Sequence, residues 1–255
     1  MQWPSRMVAL SVGASRVRAL VACTRPKQWV KNAFVLAPIT FARKLDEPHA
    51  VALALLAVVS FSALASSVYV LNDVVDRDSD AKHPDKARRP IASGLLPVFV
   101  AVPFGLGLAA LGVALAAPLG MFTVGAALAY LALNVAYTLA LKRVAWLDVL
   151  AIGLGFQLRV LAGSFAVAVR PSRWLLGMTL LMAVFLGLGK RLHERGTGKG
   201  AAERRGALRG YPLHVLRPVH ALERFRAIPS SSVWPPPRWC WRASTWPSWS
   251  PSDSA

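Results

Sequence analysis

An all-α, multipass transmembrane helical bundle is the fold class this sequence predicts, on three observations. Hydrophobic residues make up 55% of the chain and charged residues only 16%, where an average soluble domain carries roughly 25% charged residues. Uncharged apolar runs long enough to cross a bilayer core recur from residue 50 onward. The basic residues, which outweigh the acids to give a net charge of +18, are confined mostly to alternate connections between those runs.

In chain order, the runs are Ala50 to Leu71, Val98 to Ala117, Leu119 to Leu141, Val149 to Val169 and Trp174 to Gly189. The last is slightly short, and the fourth is interrupted by Arg159. A further segment, Ala33 to Ala42, is too short alone but is extended towards one interface by Trp29 and by the stems of Lys27 and Lys31. It is taken as the first of about six spans. With the N-terminus in the cytoplasm and each span changing side, twenty basic residues fall inside and four fall outside. That asymmetry follows the positive-inside rule and supports an inner-membrane protein whose polar site faces the cytoplasm. It also accounts for the net charge as a topology signal, so nucleic acid is not an expected partner. Residues 1–23 have no long apolar core followed by a small-residue cleavage site, so a cleaved signal peptide is not expected. Cys23 and Cys240 are the only cysteines and form no metal-ligand or disulfide framework.

The chemistry concentrates after the second span, in Asn72, Asp73, Val74, Val75, Asp76, Arg77, Asp78, Ser79 and Asp80. If the helix continues past Leu71, Asp73, Asp76 and Asp80 share one face, with Asp73 and Asp76 turned to water. Carboxylates crowded at a helix C-terminus repel one another and oppose the helix dipole unless a cation sits among them. Hard oxygen ligands suit Mg²⁺, which takes one or two carboxylates and completes its shell with water and phosphate oxygens. Basic residues follow at once, including Lys82, Lys86, Arg88 and Arg89 before Pro90 and Ile91. Cations beside a metal-bound diphosphate neutralise its oxygens and stabilise it as a leaving group.

Arg159 stands inside a span, where a charge costs at least roughly 2.5 to 3.5 kcal/mol at the membrane centre. It is expected to face a cavity and to meet phosphate or a carboxylate of another helix. Asp148 lies on nearly the same helical face but about three turns away, out of reach. Neither Asp148 nor His193 is assigned as a general base. Gly105, Gly112, Gly153, Gly155 and Gly163 are expected to be helix-packing contacts. Pro103 and Pro118 are read as kinks or boundaries.

Asn72, Asp73, Asp76 and Asp80 match the NDxxDxxxD motif of the UbiA superfamily of intramembrane prenyltransferases. The wider pattern resembles its decaprenyl-phosphate phosphoribosyltransferase branch. The shared marks are Arg25 to Asn32, His83 and Pro84, then Arg89, Pro90, Ile91 and Gly94. They continue with Tyr137, Leu141, Lys142, Asp148, Arg159, Ala162 and Gly163, then Gly189, Lys190, Arg191 and Glu194.

The resemblance implies a cavity holding Mg²⁺ on Asp73, Asp76 and Asp80, which serve as both metal ligands and catalytic residues. Lys31, Asn72, Lys86, Arg89, Lys142, Arg159, Lys190 and Arg191 are the implied substrate-binding residues. The partners it implies are phosphoribosyl diphosphate or a prenyl diphosphate, and a polyprenyl phosphate in the membrane. Aromatic prenyltransferases of the superfamily carry a second Asp-rich motif where this chain has Lys190 and Arg191. A cationic patch there suits an additional phosphate better than a second metal.

The expected activity is therefore a Mg²⁺-dependent transfer of a 5-phosphoribosyl group to a polyprenyl (decaprenyl) phosphate, a step of cell wall biosynthesis. Prenyl transfer to an aromatic acceptor is the nearest alternative; an inactive truncated fragment and a membrane transporter are the others. Three stretches are expected: a cytoplasmic segment at 1–24, the transferase domain at 25–211 and an aberrant tail at 212–255. The tail holds five of nine Trp and eight of eighteen Pro, with no helical period. The superfamily is similar to a nine-span bundle, so about three C-terminal spans are expected to be missing, and a frameshift is favoured over a genuine lipid-binding tail.

Overall fold

The computed structural model describes residues 16–82, 84, 86–144 and 146–196, which contain helices and turns but no strand. The expected tail and most of the N-terminal segment lie outside these residues. Helix α1 covers 16–24, and a 3-10 segment, Pro26–Leu36, leads into α2, Ala37–Phe41. Then come α3 (Pro48–Val75), α4 (Arg77–Ala81), α5 (Val98–Ala116), α6 (Met121–Leu139), α7 (Leu147–Ala166) and α8 (Arg173–Gly196).

Four of these are long and apolar enough to cross a membrane: α3, α5 with the turn that follows it, α6 and α7. The apolar part of α8, Arg173–Gly189, is shorter. The protein is an integral membrane helical bundle.

The expected first span takes an unusual form. It starts seven residues earlier than Ala33, as 11 residues of 3-10 helix followed by 5 of α-helix. Because a 3-10 helix rises about 2.0 Å per residue and an α-helix about 1.5 Å, the two together reach roughly 30 Å. That is about the thickness of the hydrocarbon core, though the segment is not one of the four helices long and apolar enough to cross a membrane.

Burial separates inner helices from outer ones. In the most apolar windows of α3 and α7, 61% and 56% of residues are buried, against 17% in α5 and 28% in α6. The outer helices turn Phe99, Leu106, Met121, Phe122 and Leu128 outward, as lipid-facing surfaces require. Around α3 the core gathers Phe61, Leu64, Val35, Ala127, Tyr130 and Ala162. Small residues let the backbones approach: a Cβ on Gly112 of α5 would lie 2.6 Å from the Leu64 side chain. At the same contact Ser60 donates to the Gly112 carbonyl at 2.7 Å. Pro103 lies within α5, while Pro118 sits in the tight turn between α5 and α6, closed by Gly120 at φ 98°.

The helix carrying the acidic motif does not continue unbroken. It ends at Val75, Asp76 adopts φ −91° and ψ 5°, and α4 resumes at Arg77. The break changes the expected single face. Asp73 and Asp80 turn inward, each 3% exposed, while the Asp76 side chain is 37% exposed. Asp73 therefore does not face water, because two guanidinium groups cover it.

Candidate functional site

The buried acids are positioned by the chain that follows them. Ile91 and Leu96, each 1% exposed, pack with Cys23, Val70 and Ala101. This apolar plug fixes the loop after α4 against α1, α3 and α5, and Gly94 at φ 78° turns the loop between the two anchors. Arg89, two residues before Ile91, is thereby held over the acids. Its Nη1 donates to Asp73 Oδ1 at 3.0 Å and to Asp80 Oδ2 at 2.5 Å. Lys86 Nζ lies 3.6 Å from the other oxygen of Asp80.

Arg25 reaches Asp73 from the opposite direction. It joins α1 to the 3-10 segment in a left-handed conformation, φ 51°, which costs a non-glycine residue on the order of 1 kcal/mol or more. From there its Nη2 donates to the same Asp73 oxygen, and its guanidinium lies 5.1 Å from the centre of the Tyr69 ring. Asp76 turns to the end of α6, where Lys142 Nζ approaches its Oδ1 to 2.6 Å. Four cations thus surround three carboxylates, leaving an excess positive charge that attracts a polyanion.

Asn72, next to the acids, lines a cavity of about 310 Å³ formed by α3, α6, α7, α8 and the 3-10 segment, at the lower end of the range for small-molecule sites. Its polar lining includes Lys31, Asn72, Tyr130, Asn134, Tyr137 and Arg159. At the upper level, Thr138 donates to Asn72 and Tyr137 donates to the buried Asp148 at 2.8 Å. At the lower level Arg159, 6% exposed, donates through Nε to Asn32 at 2.9 Å and through Nη2 to Tyr130 at 2.8 Å.

The chain shares sequence and fold with known proteins. The profile of the UbiA prenyltransferase family matches residues 33–193. A decaprenyl-phosphate phosphoribosyltransferase from Mycobacterium tuberculosis is 34% identical over 227 residues, covering 87% of this chain and 75% of that protein. One of the same name from Mycolicibacterium smegmatis is 31% identical, covering 86% and 70%. The chain belongs to the UbiA prenyltransferase family. Among solved structures, a UbiA homolog from Archaeoglobus fulgidus bound to GPP and Mg²⁺ superposes with a TM-score of 0.66. It is 19% identical, with 82% of this chain and 75% of that one covered. As a UbiA member the protein is a membrane transferase, which sets aside the transporter alternative.

Within this UbiA fold the sequence-predicted residues fall into three groups. Asp73, Asp80, Lys86 and Arg89 meet directly, and Asp76 pairs with Lys142 beside them. Lys31, Asn72 and Arg159 line the cavity below. Lys190 and Arg191 continue the backbone of α8, and their side chains lie outside the described residues. Arg159 does not meet a carboxylate: among the described residues none lies within ion-pair distance of it. Sequence reasoning missed Tyr69, Tyr130 and Asn134 as cavity residues and Arg25 as the second partner of Asp73. Arg25 was legible only as part of the basic stretch before the first span.

Among the described residues, no three His, Cys, Asp or Glu side chains are gathered closely enough to hold a metal ion by themselves. Asp73 and Asp80 nevertheless present hard oxygens to one shared cationic group. A pair of carboxylates completed by ligand phosphate and water is the donor set Mg²⁺ takes, so the residues fit such an ion bound together with a diphosphate.

Cys23 does no chemistry here. Burial, reinforced by the negative charge of Asp73, pushes its thiol up to about 11, and its side chain is 1% exposed. Because the thiolate is the reactive form, Cys23 is expected to resist alkylation by iodoacetamide at pH 8 in the folded protein and to react fully after denaturation. Rapid labelling of Cys23 in the folded chain, read on the peptide that carries it and so apart from Cys240, would contradict the packing of α1 against the loop at Ile91.

Proposed function

We propose that the protein transfers a 5-phosphoribosyl group from phosphoribosyl diphosphate to a polyprenyl phosphate of the membrane. The observation that carries this reading is the interleaving of Asp73, Asp76 and Asp80 with Arg25, Lys86, Arg89 and Lys142, directly after Asn72, which lines a polar cavity. The names of the similar mycobacterial proteins support it.

In this reaction a phosphate oxygen of the acceptor attacks the anomeric carbon. The bond from that carbon to the diphosphate oxygen breaks, and its electron pair leaves with diphosphate. When bound, Mg²⁺ would supply charge neutralisation at the departing diphosphate. Asp73 and Asp80 would hold it, with Asp76 available beside them. Arg25, Arg89, Lys86 and Lys142 exchange part of their carboxylate contacts for phosphate oxygens, so the cations that hold the acids together also stabilise the leaving group. No covalent nucleophile is required, because the acceptor arrives ionised. The excess of basic residues on the motif's side of the spans supports placing this end of the bundle in the cytoplasm.

Donor binding to the purified, detergent-solubilised protein tests the reading. Phosphoribosyl diphosphate is expected to bind only with Mg²⁺, and a prenyl diphosphate to bind weakly or not at all. Preference for the prenyl diphosphate would replace the reading with prenyl transfer to an aromatic acceptor.

A further inference from the structure

Arg159 has an unusual balance of partners for a buried cation. It donates to a side-chain amide (Asn32), a backbone carbonyl (Gly155) and a phenol (Tyr130), all uncharged, at 2.8 to 2.9 Å. Tyr130 and Phe156 place their rings 4.7 and 5.4 Å from its guanidinium carbon. These contacts orient the group without neutralising it. They use Nε and one N–H on each terminal nitrogen, so each terminal nitrogen keeps a second N–H. A buried guanidinium with no carboxylate partner among the described residues costs free energy in a protein interior within a membrane, and an anion entering the cavity removes that cost.

The position of Arg159 relative to the acids is set by the helices. Thr138, bonded to Asn72, marks the level of the acidic motif on α6, and Tyr130, bonded to Arg159, lies eight residues deeper on the same helix. At about 1.5 Å per residue the two levels are roughly 12 Å apart. Between them on α6 the cavity presents Asn134, a group that hydrogen-bonds hydroxyls, and Lys31 also lines it.

We infer that Arg159 is the seat for a second phosphoryl group on the donor, and so selects a sugar carrying phosphate at one end and diphosphate at the other. The inference rests on the phosphoribosyl reading above and adds to it a determinant of donor class. A donor charged at one end only places hydrocarbon against the guanidinium and leaves its two remaining N–H groups without partners. A doubly phosphorylated sugar meets Arg159 with its phosphate, reaches past Asn72 towards the acidic motif with its diphosphate, and presents hydroxyls to the polar lining between them.

The test compares phosphoribosyl diphosphate with inorganic diphosphate, which carries the acidic-motif ligand alone, both with Mg²⁺ and the solubilised protein. The wild-type chain is expected to bind the sugar compound about 10- to 100-fold more tightly, the worth of charge-assisted hydrogen bonds to one phosphoryl group. Arg159→Gln is expected to erase that difference while leaving affinity for inorganic diphosphate unchanged, and Arg159→Lys to restore part of it. Asn32→Asp provides a variant that keeps the arginine and its packing: a carboxylate at the oxygen already 2.9 Å from Nε neutralises the guanidinium in place, and the same selective loss is expected. Equal weakening of both ligands, or of neither, in Arg159→Gln and Asn32→Asp would overturn the inference while the phosphoribosyl reading stands. Failure of the wild-type chain to bind either compound with Mg²⁺ would overturn both.

Discussion

Asp73→Asn is expected to reduce Mg²⁺-dependent binding of phosphoribosyl diphosphate, and transfer from it, by at least about 100-fold, the scale of losing a charged group that acts on a leaving diphosphate. The variant should also melt earlier. Asp73 is buried beneath Arg25 and Arg89, and an uncharged amide leaves both guanidinium groups facing a weaker acceptor. Because those arginines are about 30% exposed, water offsets part of the loss, and about 1 to 3 kcal/mol is expected rather than the full cost of an orphaned buried charge. Asp76→Asn separates the two effects. Its carboxylate is half-exposed and, among the described residues, pairs only with Lys142, so stability should change by no more than about 1 kcal/mol while donor binding still falls. Isothermal titration with and without Mg²⁺, paired with thermal unfolding in detergent, measures both. Unaltered binding in the two variants would remove the acidic motif from the site.

The largest loss of stability is expected from a single added methyl group, in Gly163→Ala. A Cβ there would overlap the Val35 carbonyl oxygen and lie 2.8 Å from its carbonyl carbon. The obstacle is backbone, so no side-chain rotation relieves it. The 3-10 segment and α7 must separate, at a cost of about 3 kcal/mol or more, the upper end of overpacking effects. That segment also carries Lys31 and Asn32, so donor binding should weaken with it. Gly125→Ala is the control: nothing lies within 4 Å of a Cβ at that position, and its melting temperature should equal or slightly exceed the wild type's, because alanine favours a helix interior over glycine. Equal melting of the two variants would show that α7 and the 3-10 segment do not approach so closely.

Much of the bundle is legible in the amino-acid order because hydrocarbon is an unforgiving solvent. A lipid-facing backbone must satisfy its own hydrogen bonds, so an apolar run of span length becomes a helix. The expected runs at Ala50 to Leu71 and Leu119 to Leu141 are found as α3 and α6 within a few residues at each end. The acidic motif was legible for a related reason: carboxylates at a helix C-terminus at the membrane surface are costly without a cation to receive them. What sequence spacing could not reveal was the interruption at Asp76, a local backbone choice that buries Asp73 and Asp80 and leaves Asp76 half-exposed.

Spans, acids, bases and the small residues of the helix seams were therefore determined by the chain alone, since each follows from local composition and from transfer between water and lipid. The 3-10 winding of Pro26–Leu36, the meeting of Arg25 with Asp73 across 48 positions and that of Asn32 with Arg159 across 127 were decided only by the tertiary structure. Such contacts depend on which faces of α3 and α7 pack against the 3-10 segment. Packing is a property of the whole bundle, and no window of sequence contains both partners.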